Sequence, residues 1–129
     1  MKPELMLLGW CVILAIVQML VAVQGSMMQV GLMTLIGNRE GFPEIKGWGG
    51  RAIRAHRNMI ENLVLFAAVV LAVVAAGKTS GSTLLGAQIF FWARVAYAAI
   101  YLAGIPWART AAWTVSVIGL LMVLWPLVA

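Results

Sequence analysis

The residues able to do chemistry fall into two short stretches. The first, Arg51-Ala-Ile-Arg54-Ala-His56-Arg57-Asn58-Met-Ile-Glu61-Asn62, combines guanidiniums, carboxamides and a carboxylate. At about 100° per residue on a helix, Arg51, Arg54, Asn58, Glu61 and Asn62 fall within an arc of roughly 100°, while Ile53, Met59 and Ile60 lie outside it. The second, Arg94-Val-Ala-Tyr97-Ala-Ala-Ile-Tyr101, places a guanidinium and two phenols on one helical face through spacings of three and four. Together they suit a small molecule with more than one acidic group: Arg54, Arg57 and Arg109 clamp carboxylates, and Glu61 takes an ammonium. An anionic lipid headgroup satisfies the same groups. Two plainer readings stand beside these. Arg51 alone reads as a topology anchor, and Arg57 with Glu61 as a structural i,i+4 bridge.

The surroundings make the carboxylate unusual. Leu63 to Ala76 is almost wholly apolar, so Glu61 and Asn62 enter a membrane. A charge at the centre of a span costs about 2.5–3.5 kcal/mol on insertion scales, which makes Glu61 a functional candidate in need of a partner. Arg94, deeper in its own helix, must likewise face protein or water, and either bridges Glu61 or reads a ligand.

The elements that position these groups follow from composition. The chain has 129 residues, 64% hydrophobic and 10% charged, with a mean hydropathy of +1.00; it is a membrane protein. Its net charge of +5 lies in segments flanking apolar runs, which argues against a nucleic-acid surface. The lone Cys11 permits no internal disulfide and, without clustered histidines, no metal site, and it reads as a core residue. Four spans are expected, at about 5–36, 58–76, 83–105 and 110–128, in one four-helix membrane domain without a linker. The first, at about 48 Å, exceeds a hydrocarbon core of roughly 30 Å and must tilt or protrude. Lys2 and the run after it read as part of this span and not as a cleaved leader. Gln18 and Gln29 share a face and are expected to meet a neighbouring helix. The basic segments 37–50 and around Pro106 place those loops in the cytoplasm, with both termini on the opposite side.

Arg54-Ala-His-Arg-Asn58-x-x-Glu61-Asn62 resembles the signature of the membrane-associated proteins in eicosanoid and glutathione metabolism, the family of microsomal glutathione transferases, leukotriene synthases and microsomal prostaglandin E synthase. Arg94-Val-Ala-Tyr97-x-x-x-Tyr101 resembles its third-helix motif, and the short loops look like those of bacterial members. The resemblance implies a homotrimer with glutathione bound at subunit interfaces open to the cytoplasm. It also implies that Arg54, Arg57, Asn58, Glu61, Arg94, Tyr97 and Tyr101 hold the tripeptide, with Glu61 near its amino group. Arg109 matches by position the arginine that stabilises the thiolate. Met59 departs from an acidic residue of several mammalian members, Thr110 from a serine, Trp113 from a tyrosine, and only Arg39 is available to replace a basic cluster at the end of the first helix.

The resulting expectation is an all-helical, four-span membrane protein acting as a glutathione-dependent transferase or peroxidase on a lipophilic electrophile or lipid hydroperoxide. A non-catalytic member of the same fold, binding a lipid or partner protein, is the alternative. A small proton-coupled exporter is a third reading, disfavoured because the first span carries no glutamate after Glu4.

Overall fold

The computed structural model describes residues 2–37 and 41–129; Arg39 lies outside the described residues. Its helices are α1 (Pro3–Val30), α2 (Leu32–Ile36), α3 (Gly47–Ala75), α4 (Gly81–Ala103) and α5 (Pro106–Val128). Among the described residues α1, α3, α4 and α5 are long and apolar enough to cross a membrane. They form an all-helical bundle in which α4 packs most extensively on α5, and α1 on α3.

Local chemistry sets the ends. Gly31, at φ 82°, breaks the long first run expected over 5–36, so α1 stops at Val30 and the short α2 turns away. A glycine takes this backbone region without the Cβ clash that other residues suffer. Helix α4 opens on a reciprocal cap: Thr83 N–H donates to Ser80 Oγ, and Ser80 N–H donates to Thr83 Oγ1. It closes on Gly104 in the left-handed region. Pro106 starts α5, where its missing N–H costs nothing.

The largest difference from expectation is the start of α3, at Gly47 instead of near residue 58. Gly47, Gly49 and Gly50 punctuate the sequence as a loop would. Gly49 and Gly50 are instead buried, and their lack of a side chain serves packing. A Cβ on Gly25 of α1 would lie 2.7 Å from the Gly49 Cα, so the two backbones touch there. Gln29 reinforces this crossing: its amide donates to Lys46 O and accepts from Lys46 N–H, at 2.7 and 2.9 Å. The expected helix partner of Gln29 is thus the backbone leading into α3. Gln18 makes no hydrogen bond with a described residue.

At the other end of the bundle, Thr83 Oγ1 donates to the buried Glu4 carboxylate at 2.6 Å, and Lys2 Nζ donates to Thr79 Oγ1 at 3.2 Å. Glu4 thereby joins α1 to the first turn of α4, where the helix dipole favours a negative charge. Between these ends, Cys11, Met59, Phe66, Val70, Phe90 and Val123 form the core. Phe66 and Phe90 stack with centroids 4.0 Å apart. Lipid tails are as apolar as these side chains, so dispersion and close fit, not water exclusion, hold the helices together.

The α4–α5 seam depends on Gly86 and Gly119. A Cβ at Gly119 would sit 2.6 Å from Gly86 O and 2.7 Å from Phe90 N, whereas one at Gly9 would meet nothing within 4 Å. Gly119→Leu is therefore expected to destabilise by about 1–3 kcal/mol or more through overpacking against backbone, and Gly9→Ala to leave the protein as stable as before. Thermal unfolding of the two variants in detergent checks this; equal midpoints contradict it.

Candidate functional site

Because α3 begins early, the whole stripe from Arg51 to Asn62 is helical, and successive turns carry it down one side of α3. Arg51 leaves the stripe's chemistry and serves the fold. Its Nε donates to Leu102 O at 2.9 Å, satisfying one of the orphan carbonyls at the C-terminus of α4, where a cation also suits the dipole.

The centre of the site is Arg94. Its side chain is 1% exposed, and its guanidinium carbon lies 4.2 Å from the Tyr97 ring centroid. Nη2 donates to Asn58 Oδ1 at 2.7 Å. Asn62 Nδ2 donates to the same oxygen at 3.2 Å and to Asn58 O at 2.8 Å. With two donors converging on Oδ1, the Asn58 carboxamide is turned so that its NH2 remains free to donate elsewhere. Arg94 thus bridges to Asn58 and not to Glu61. Its Nε and Nη1 have no partner among the described residues. Asn62, expected in the binding stripe, acts on Asn58 instead.

Two cavities adjoin this bond. The first, of about 170 Å³, is lined by Arg54, Arg57, Asn58, Glu61, Tyr97 and Tyr101. In it Arg54 Nε donates to the Tyr101 hydroxyl at 3.2 Å. The second, of about 140 Å³, is lined by Asn58, Tyr97, Arg109, Thr110 and Trp113. The Arg109 guanidinium carbon lies 4.5 Å from the Tyr101 centroid, and the Tyr97 and Tyr101 rings are 5.5 Å apart. Asn58 and Tyr97 line both cavities, so the two are neighbours with a shared wall. Behind them Tyr97 and Tyr101 pack with Ala55 in a small buried cluster.

All the expected site residues therefore gather in one region: six line the first cavity, Arg109 the second, and Arg94 lies beneath both. Of the two readings for Glu61, the structural bridge is the one not found. Glu61 is exposed on the surface of the chain and makes no hydrogen bond or ion pair with a described residue. Neither Arg57 nor Arg94 neutralises it. A carboxylate on the outer face of α3 in a membrane bundle needs a complement from outside the chain, because lipid tails supply none. Thr110 and Trp113 were not expected as site residues, although their spacing from Arg109, at i+1 and i+4 with Trp113 on the same helical face, points to them. Thr110 Oγ1 donates to Pro106 O at 3.3 Å, which leaves its lone pairs turned to other donors.

The arrangement has the chemistry of an anion receptor. Guanidiniums, phenols and a carboxamide NH2 present donors, and one unpaired carboxylate answers an ammonium. Four helices long and apolar enough to span a membrane, around a cluster of cations and phenols, define the class: an integral membrane protein. The chain belongs to the MAPEG family, whose family model matches residues 7–129; that family includes glutathione transferases and peroxidases. No curated protein and no solved structure gives a significant match.

The Asn58–Arg94 bond can be weighed directly. Asn58→Leu leaves a buried guanidinium with no partner, so it should cost more than Arg94→Met, which removes the charge. The double-mutant cycle should give a coupling of about 1–3 kcal/mol, as for charge-assisted hydrogen bonds. Additive losses in detergent unfolding contradict the bond.

Proposed function

We propose that the protein is a glutathione-dependent transferase or peroxidase acting on lipophilic electrophiles or lipid hydroperoxides. The observation that carries this is the pair of adjoining cavities with different chemistry. The first matches the charged parts of the tripeptide: Arg54 and Arg57 face its carboxylates, Glu61 its ammonium, and the Asn58 NH2 and the Tyr101 hydroxyl its amide groups. The second matches its reactive end. There Arg109 stands beside Thr110 and an aromatic wall of Trp113 and Tyr97.

Glutathione spans both cavities in this reading, with its sulfur near Arg109. A free thiol of pKa near 8.5 is mostly protonated at neutral pH, and each unit of depression corresponds to about 1.4 kcal/mol of preference for the thiolate. A guanidinium in a low-dielectric pocket supplies that preference without giving up a proton itself. The thiolate then attacks an electrophilic carbon, and the displaced group leaves with the electron pair. With a hydroperoxide the thiolate attacks the terminal oxygen, the O–O bond breaks to give a sulfenic acid and an alkoxide that takes up a proton to become the alcohol, and a second glutathione condenses with the sulfenic acid to give the disulfide and water.

The exposed Glu61 and the outward opening of the first cavity support a homotrimer in which a neighbouring subunit closes the site. Arg51, Arg54 and Arg57 in the early turns of α3 and Arg109 in the first turn of α5 lie at one end of the bundle, with Lys2 and Lys78 at the other. That asymmetry supports a site open to the cytoplasm and termini on the far side.

Mixing the purified protein with glutathione should give the ultraviolet absorbance of a thiolate at neutral pH. Arg109→Ala should abolish that signal while S-methylglutathione still binds, and Arg54→Ala should weaken glutathione binding by about tenfold or more, as for loss of a charge-assisted contact of about 1.5–3 kcal/mol. Glutathione binding to the intact protein without a thiolate signal would instead favour a non-catalytic binding member of the fold.

A further inference from the structure

A third cavity, of about 250 Å³, lies between α1, α3 and α4 and shares no residue with the two polar ones. It is lined by Ala52 and Ala55 of α3 and Ala98 and Ala99 of α4, small where Met59, Phe66 and Phe90 fill the core elsewhere. One polar side chain lines it. Gln18, only 8% exposed, makes no hydrogen bond with any described residue, and its buried Oε1 has no partner.

We infer that this cavity is a binding site for a small neutral lipophile carrying one hydroxyl group, drawn from the bilayer and held at Gln18. The inference does not rest on the proposed glutathione chemistry. An amide buried without a partner costs about 1–3 kcal/mol, and no bulk water is present at this level of a span to relieve it. Water itself fits the cavity badly, since an ordered water needs two to four polar partners and only one side chain offers any. A charged ligand fits no better, because no ionisable residue lines the walls. A hydroxyl meets both halves of the amide: its proton goes to Oε1 and its lone pair accepts from Nε2.

Size and access agree. A dry apolar cavity of about 150 Å³ takes a benzene ring, so this one suits about ten non-hydrogen atoms. Val17, on the rim, is 50% exposed, so the entrance opens on the side of the bundle and a longer chain extends out of it.

The test uses the full chain in nanodiscs and a diazirine-bearing octanol as the probe. Photolabelling is expected on the cavity-lining segments of α1 and α4. 1-Octanol should displace the label at least tenfold better than methyl heptyl ether, which can accept but not donate a hydrogen bond. Gln18→Leu, an apolar replacement of similar size, should abolish that difference. Ala99→Phe fills the cavity and should abolish the labelling, with an unchanged unfolding midpoint showing that the bundle is intact. Labelling that ignores the hydroxyl, or that spreads evenly over the lipid-facing helices, overturns the inference. So does a photocrosslink from p-benzoylphenylalanine at position 17 to a second copy of the chain without cavity labelling, because the occupant is then a neighbouring subunit.

Discussion

A guanidinium enclosed in an apolar bundle is the constraint from which the site follows. Arg94 is almost wholly inaccessible, and a charge so placed persists only when hydrogen-bonding partners converge on it. Asn58 is the partner found, Tyr97 covers the guanidinium face, and Asn62 braces Asn58 from one turn further along α3. These contacts tie α3 to α4 at one rotational setting. Because Arg54, Arg57 and Glu61 ride on the same helix as Asn58, and Tyr101 on the same helix as Arg94, that setting also decides what lines the first cavity. Stabilising a buried charge and presenting a receptor are thus consequences of one contact.

The glycines act at a second level. Helices in lipid gain little from hiding apolar surface, so the bundle is held by closeness of fit. Gly25 against Gly49, and Gly86 against Gly119, let backbones meet where any side chain would hold them apart. The α1–α3 crossing carries the early turns of α3 into the bundle and with them the basic stripe. The α4–α5 crossing brings the first turn of α5, with Arg109, Thr110 and Trp113, alongside Tyr97 and Tyr101. Alanines play the opposite part between α1, α3 and α4, where their small size leaves space unfilled around Gln18.

Much of this was legible in the residues and some was not. Apolar runs near twenty residues and the 3.6-residue period of Arg51 to Asn62 foretell spans and a polar face, because both depend on local chemistry alone. The same loop-like glycines that hide the start of α3 show the limit: glycine marks a turn or a close crossing, and only the neighbouring helix distinguishes them. Arg94 was rightly singled out as a buried cation, yet its partner depends on the relative rotation of two helices, which no single-helix period contains. The apolar run after Glu61 calls for a partner but leaves open whether that is Arg57 or a ligand. It lines the open first cavity, unpaired among the described residues. Trp113 shows in the sequence only as a departure from a family tyrosine, although its spacing from Arg109 carries it onto the same face.

Arg94 fixes the Asn58 carbonyl, and in the proposed function the NH2 left over serves the ligand. Asn58→Asp separates those two duties, since a carboxylate still accepts from Arg94 but has no proton to donate. Calorimetric titration of this variant with glutathione, beside its unfolding midpoint, is the most direct measurement. The account predicts a midpoint at or above that of the parent protein and an affinity at least tenfold weaker. Unchanged affinity, or a midpoint well below the parent's, contradicts it.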